Sequence, residues 1–246
     1  MNSSFRALFA AAAVLFTSLA SANEAAIRRA LEPKLAADAI EGISPGPMPG
    51  LWEVRLRSRE GIQVFYTDAA GTYIIQGNII EVRSGRDLTE ERLLKLSAIK
   101  FDALPLDQAV KVQRGDGRRT LVMFSDPYCP YCQQFEKVLQ QISDITVYVF
   151  MYPVIRPQNA GHSKAVWCSP DRAKAWLALA IDHKPPTPPA KCDDPVEKNL
   201  QLGRSLRVNS TPTLFLANGE RVSPGLPAAA LQEVLDKVHA ETRKKR

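Results

Sequence analysis

The residues best suited to do chemistry are Cys129 and Cys132, three positions apart within Phe124 to Gln133, FSDPYCPYCQ. Two thiols at that spacing share one helical face and can close a small disulfide ring. Opening and closing that ring is thiol–disulfide exchange, provided one sulfur ionises readily and the other waits close by. The flanking elements predict that arrangement. Thr120 to Phe124 (TLVMF) is a short β-branched and apolar run that suits a buried strand, and Asp126-Pro127 breaks it. Phe135, Val138, Leu139 and Ile142 then follow the i, i+3, i+4, i+7 series of an apolar helical stripe. That helix starts near Pro130, whose missing N–H costs nothing in a first turn. Cys129 therefore falls at a helix N-terminus, where free N–H groups and the macrodipole favour a thiolate. It is the expected nucleophile. Cys132, one turn inward and less exposed, is the expected resolving thiol. Asp126 is a nearby like charge that works against the thiolate, and Pro130 and Tyr131 add no group that titrates near neutrality.

Three other uses of this pair carry less. A zinc site needs two more ligands, and Cys168 and Cys192 stand 24 positions apart with no second CxxC. A cysteine hydrolase needs one nucleophile with a His partner, and His162, His183 and His239 belong to no recognisable signature. A purely structural disulfide across CxxC is disfavoured because a helix start activates sulfur.

The chain around this motif has 246 residues and a formal charge of +6. Its first 22 residues read as an export signal: Arg6, the ten apolar residues Ala7 to Phe16, and the small-residue site Ala20-Ser21-Ala22. Cleavage after Ala22 leaves 224 residues with a charge of +5, destined for an oxidising compartment. The apolar run falls short of the roughly 20 residues of a spanning helix, which disfavours a membrane anchor. The mild positive excess lies mostly in Arg243 to Arg246, read as a solvated tail, and no aromatic–basic alternation points to nucleic acid. Four cysteines are too few for a disulfide scaffold, so a hydrophobic core must carry the fold.

Four segments are expected, with an α+β architecture overall. Residues 1–22 are the signal. Residues 23–86 hold a short helix (Glu24 to Leu35), a turn region (Ser44 to Gly50), and antiparallel strands at Leu51 to Arg57, Ile62 to Thr67, Tyr73 to Gln76 and Ile79 to Arg83. So small a sheet makes a marginal core alone, and oligomerisation is the usual remedy. Residues 87–103 contain a linker helix, Thr89 to Lys100. Residues 104–246 alternate strand and helix. Ile145 to Met151 is a second buried strand, Asn159 to Ile181 a helical insertion, and Lys184 to Ala190 a proline-rich loop. A helix capped by Asp194-Pro195 follows. Thr213 to Ala217 and Glu220 to Ser223 form a hairpin about Asn218-Gly219, and Pro227 to Ala240 is an amphipathic helix. That order is thioredoxin-like with a helical insert.

These features resemble the exported disulfide isomerases of the DsbC type. The likeness rests on the CxxC at a strand-to-helix junction, Thr211-Pro212 before the hairpin, and a second cysteine pair in the insert. Phe65 to Gly77 is similar to that family's dimerisation domain, and Ala165 to Ala175 to the stretch carrying its structural cysteine. The resemblance implies a periplasmic homodimer without cofactor or metal, kept reduced by a DsbD-like thiol reductant of the inner membrane and acting on misoxidised exported proteins. It implies Cys129 as attacking thiolate, Cys132 as resolving thiol, Thr211 and cis-Pro212 as substrate-positioning residues, and a structural disulfide between Cys168 and Cys192. Pro130-Tyr131 and Thr211 are closer to the sister DsbG type, so a reductase of oxidised single cysteines is the alternative, with a DsbA-like oxidase behind it.

Overall fold

The computed structural model describes residues 22–36, 38–58, 61–187 and 192–244. Residues 1–21 of the expected signal, residues 188–190 of the proline-rich loop and the last two residues of the basic tail lie outside them. The chain divides after Leu96 into two compact units.

The first unit opens with helix α1, residues 22–31, and a 3-10 turn at Glu32–Lys34, where Pro33 ends the α-helical pattern. Four antiparallel strands follow in the order β1 (Ile40–Pro45), β2 (Trp52–Ser58), β3 (Gly61–Thr67) and β4 (Ile74–Ile75). Ile27 and Leu31, one turn apart on α1, pack on Ile43, Trp52, Val54 and Phe65. The turn before β4 comes so close to α1 that a side chain at Gly71 would stand 2.9 Å from Ala30 Cβ, and its φ of +73° also favours glycine.

Three expectations are corrected in this unit. Ser44 and Pro45 belong to β1 rather than to a turn, since an edge strand tolerates a terminal proline. Ile79 to Arg83 does not continue the sheet: β5 (Ile80–Glu81) pairs with β6 (Arg86–Asp87) in a separate ribbon. The helix expected over Thr89 to Lys100 is α2 (Leu88–Leu96), with the Asp87 carboxylate accepting from the Glu90 N–H at 2.8 Å. α2 covers the second face of the sheet, where Arg92 reaches both oxygens of buried Glu53 at 3.1 Å and Thr89 Oγ1 meets Tyr66 Oη at 2.7 Å.

The second unit is a five-stranded sheet in the order β11, β10, β8, β9, β7. β8 (Arg119–Ser125) and β9 (Ile145–Met151) are parallel and joined through α3 (Pro130–Leu139), while β7 (Val110–Arg114), β10 (Thr213–Leu216) and β11 (Arg221–Val222) pair antiparallel. Alternation along β8 supplies both layers of core. Leu121 and Met123 pack with Phe135 and Leu139 of α3 and with Trp176 and Leu235, while Val122 and Phe124 pack with Phe150, Tyr152 and Phe215. Phe124 and Phe150 stack at 4.9 Å between centroids. Burying each of these side chains contributes about 1.5–3 kcal/mol, so the strand carrying the cysteine corner is anchored on both faces.

The insertion is two helices, α4 (Ala160–Trp167) and α5 (Arg172–Ala180), separated by a break at which Asp171 caps α5 through the Lys174 N–H. α6 (Val196–Ser205) starts one residue later than expected, with Asp194 accepting from the Val196 N–H at 3.0 Å. α7 (Ala228–Lys244) runs on through Arg243 and Lys244, which are helical rather than part of a tail. Its Asp236 makes a two-point ion pair with buried Arg119 at the start of β8.

Cys168, at the C-terminus of α4, is bonded to Cys192 across the proline-rich loop, with the Cα atoms 6.0 Å apart. Trp167 Nε1 donates to the Asp193 carbonyl at 3.0 Å beside the bond. Replacing Cys168 and Cys192 together by Ala should lower the unfolding free energy by roughly 3–4 kcal/mol, the chain-entropy value for such a loop. Urea denaturation checks this, and an unchanged midpoint would contradict it.

Candidate active site

The site is made where β8 ends. The Asp126 carboxylate has no exposed surface and does not face solvent as a free charge. Its Oδ1 accepts from the Tyr128 N–H at 2.8 Å and its Oδ2 from the Ile155 N–H at 2.7 Å, while its carbonyl accepts from the Cys129 N–H at 3.1 Å. These bonds turn the chain so that Cys129 is the N-cap residue of α3 and Pro130 its first residue. Gln133 closes the first turn, its N–H donating to the Cys129 carbonyl at 3.0 Å and its side chain to the Pro127 carbonyl at 2.8 Å.

Both cysteines are free thiols. Cys132 is expected to be the less exposed of the two, but the difference is slight: it is 1% exposed against 2% for Cys129, whose sulfur donates to the Thr211 carbonyl at 3.2 Å. Between the cysteines Pro130 and Tyr131 are both exposed, Tyr131 at 73%. Pro212 follows at the entry to β10, and the Thr211–Pro212 peptide bond is cis. β10 pairs with β8 from Thr213 opposite Phe124, so Thr211 and Pro212 lie just past the last paired residue, level with the corner.

The two sulfurs meet different environments. Burial pushes the Cys132 thiol up to about 12, and the neighbouring Cys129 adds to that, while the Ser125 hydroxyl, the Asp126 N–H and the Thr211 hydroxyl work in the opposite direction. Cys132 is thus a protonated thiol at neutral pH. Cys129 caps a ten-residue helix whose first N–H groups point towards it.

Beside the cysteines lies a cluster for which the sequence carries no signature. Tyr128 Oη hydrogen-bonds His162 Nδ1 from α4, Arg156 lies 5.7 Å above the Tyr128 ring, and Gln133 Nε2 is 3.4 Å from His183 Nδ1. Val154 and Ile155 are exposed next to it. His162 is 34 positions from Tyr128, so no local spacing could reveal the contact. No cluster of metal-ligating side chains occurs among the described residues.

Comparison with known proteins agrees with this geometry. The family described as a thioredoxin-like domain matches residues 106–239, and that described as the disulfide bond isomerase protein N-terminal domain matches residues 18–90. The fold and the placement of the cysteine pair define a thioredoxin-like protein with a disulfide isomerase N-terminal domain. A probable thiol:disulfide interchange protein DsbC of Bordetella avium is 40% identical over 193 residues, 78% of this chain and 68% of the relative. Its counterpart in Bordetella parapertussis is 43% identical over 74% of this chain, and the match spans 64% of that relative's length. The thiol:disulfide interchange protein DsbC of Escherichia coli is 29% identical over 90% of this chain and 91% of its own. A crystal structure of a disulfide interchange protein from Neisseria gonorrhoeae superposes with a TM-score of 0.52 at 38% identity, covering 55% of this chain and 99% of that one. The chain belongs to the DsbC family of thiol:disulfide interchange proteins.

The separation of the two sulfurs is directly measurable. At pH 8 a thiol titrating near 12 is ionised to about one part in ten thousand. Brief alkylation of the folded protein with iodoacetamide should therefore leave Cys132 unmodified in a peptide map, and labelling should require unfolding. Equal labelling of both cysteines in the folded protein would contradict it.

Proposed function

We propose that this chain is an exported thiol–disulfide isomerase and reductase that attacks non-native disulfides in other exported proteins. The observation that carries the reading is the placement of Cys129 Sγ at the start of α3 and 3.2 Å from the Thr211 carbonyl. A client segment running beside Thr211 would bring its own sulfur up to Cys129, because Pro212 has no N–H for the sheet and the chain stops pairing there. The Cys129 thiolate attacks one client sulfur, the client disulfide breaks, and a mixed disulfide forms. The freed client thiolate then attacks elsewhere, which is rearrangement, or Cys132 displaces the client, which is reduction.

The assignments of Cys129 as attacking thiolate, Cys132 as resolving thiol, and Thr211 and Pro212 as substrate-positioning residues belong to this proposal. So do export with cleavage after Ala22, a periplasmic location and reduction by an inner-membrane thiol donor. No helix among the described residues is long and apolar enough to cross a membrane. The working form we propose is a homodimer through the first unit. Its edge strand β4 presents Ile74 and Ile75, each 52% exposed. An apolar, unpaired edge of this kind is a liability for a lone chain, and a second copy covers it.

The test is refolding of scrambled ribonuclease alongside reduction of insulin. Cys129→Ser should drop both to background. Cys132→Ala should keep shuffling activity, lose reduction and accumulate mixed disulfides. Full activity in Cys129→Ser would overturn the proposal.

A further inference from the structure

Ser125 ends β8 beside the cysteine helix and has no exposed surface. Its carbonyl accepts from the Tyr152 N–H at 2.8 Å, but its hydroxyl is buried with no nitrogen or oxygen partner. Thr211 Oγ1, on the chain that enters β10, is buried and unpartnered in the same way. Buried polar groups are nearly always paired, so two orphaned hydroxyls at one site need a reason. Both face the sulfur of Cys132, where the Asp126 N–H also points.

We propose that the Ser125 hydroxyl, assisted by that of Thr211, is a donor held for the Cys132 thiolate, so that Ser125 sets how fast a mixed disulfide is resolved. It thereby sets the balance between rearranging a client and reducing it. This inference rests on the exchange function proposed above and concerns its second half.

In that half-reaction Cys132 gives up its proton and its thiolate attacks Cys129 Sγ. The Cys129–client bond breaks as the Cys129–Cys132 bond forms, and the client sulfur departs with the bonding pair and takes up a proton. The client is reduced and the cysteine pair is oxidised. Negative charge must therefore appear on a sulfur that is 1% exposed, where water cannot hold it. Little else around it can. The Asp126 carboxylate is a like charge, and it is already engaged by the Tyr128 and Ile155 N–H groups. Cys129 opposes a thiolate when it is itself ionised, and in the mixed disulfide it is not. The remaining groups are the Asp126 N–H and the two hydroxyls. A neutral thiol accepts hydrogen bonds weakly and a thiolate strongly, so hydroxyls that are orphaned at rest gain a partner when Cys132 ionises.

The experiment follows formation and decay of the mixed disulfide when the reduced protein meets glutathione disulfide, by rapid quench and mass analysis across pH. Ser125→Ala should leave formation at the parental rate and slow decay about tenfold at pH 7, the loss of one hydrogen bond to a charged group. The rise of the decay rate with pH should shift to higher pH. Ser125→Thr, which restores a hydroxyl, should recover both. Decay at the parental rate in Ser125→Ala, or formation and decay slowed alike, would overturn the inference while leaving the exchange function standing. A parental protein that forms no mixed disulfide would overturn the exchange function and this inference with it.

Discussion

Asp126 holds the corner on which both sulfurs depend. A buried carboxylate is costly unless hydrogen-bond donors surround it, and here two backbone N–H groups supply them. One belongs to the chain leaving β8 and the other to the chain leaving β9, so one side chain ties the ends of two parallel strands. The turn it fixes puts Cys129 at the N-cap of α3 and, three residues on, sets Cys132 against the strand end. A residue that reads as an electrostatic opponent of the thiolate thus does its main work as a brace.

The chemistry then follows from position rather than from unusual side chains. Cys129 caps the N-terminus of α3, beside the Thr211 carbonyl. Cys132 is pressed beneath the first turn, where desolvation keeps its proton on. The two sulfurs are set apart by one helical turn. The layers of Phe124, Phe150 and Phe215 on one side of β8 and of Phe135, Leu139 and Trp176 on the other keep that turn from shifting.

Much of this was legible in the sequence because the strongest local signals lie at the site. TLVMF, the break at Asp126-Pro127 and the stripe of Phe135, Val138 and Leu139 mark the strand-to-helix corner, although Ile142 lies beyond the end of α3, and Ile145 to Met151 is β9 with the same bounds. What was missed depends on long-range contact. β7 is a five-residue edge strand, VKVQR, whose place in the sheet is set by pairing with β9 more than thirty positions on. Glu53 alternates with Trp52 and Val54 as a solvent-facing residue should, yet it is buried because α2 brings Arg92 onto that face. The partnership of Tyr128 with His162, and the orphaned hydroxyls of Ser125 and Thr211, leave no pattern in the chain. The burial of Cys129 also depends on a distant part of the chain, since the Thr211 carbonyl lies 3.2 Å from its sulfur.

The central claim is that the strand-to-helix corner makes one sulfur the point of attack and keeps the other for resolution. It is tested most directly by mapping where a client first becomes attached. Reduced protein is mixed with a disulfide-bonded client, acid-quenched within the first turnover and digested for peptide mapping. The account predicts that every mixed disulfide is on Cys129. Client attached to Cys132, or divided between the two cysteines, would contradict it.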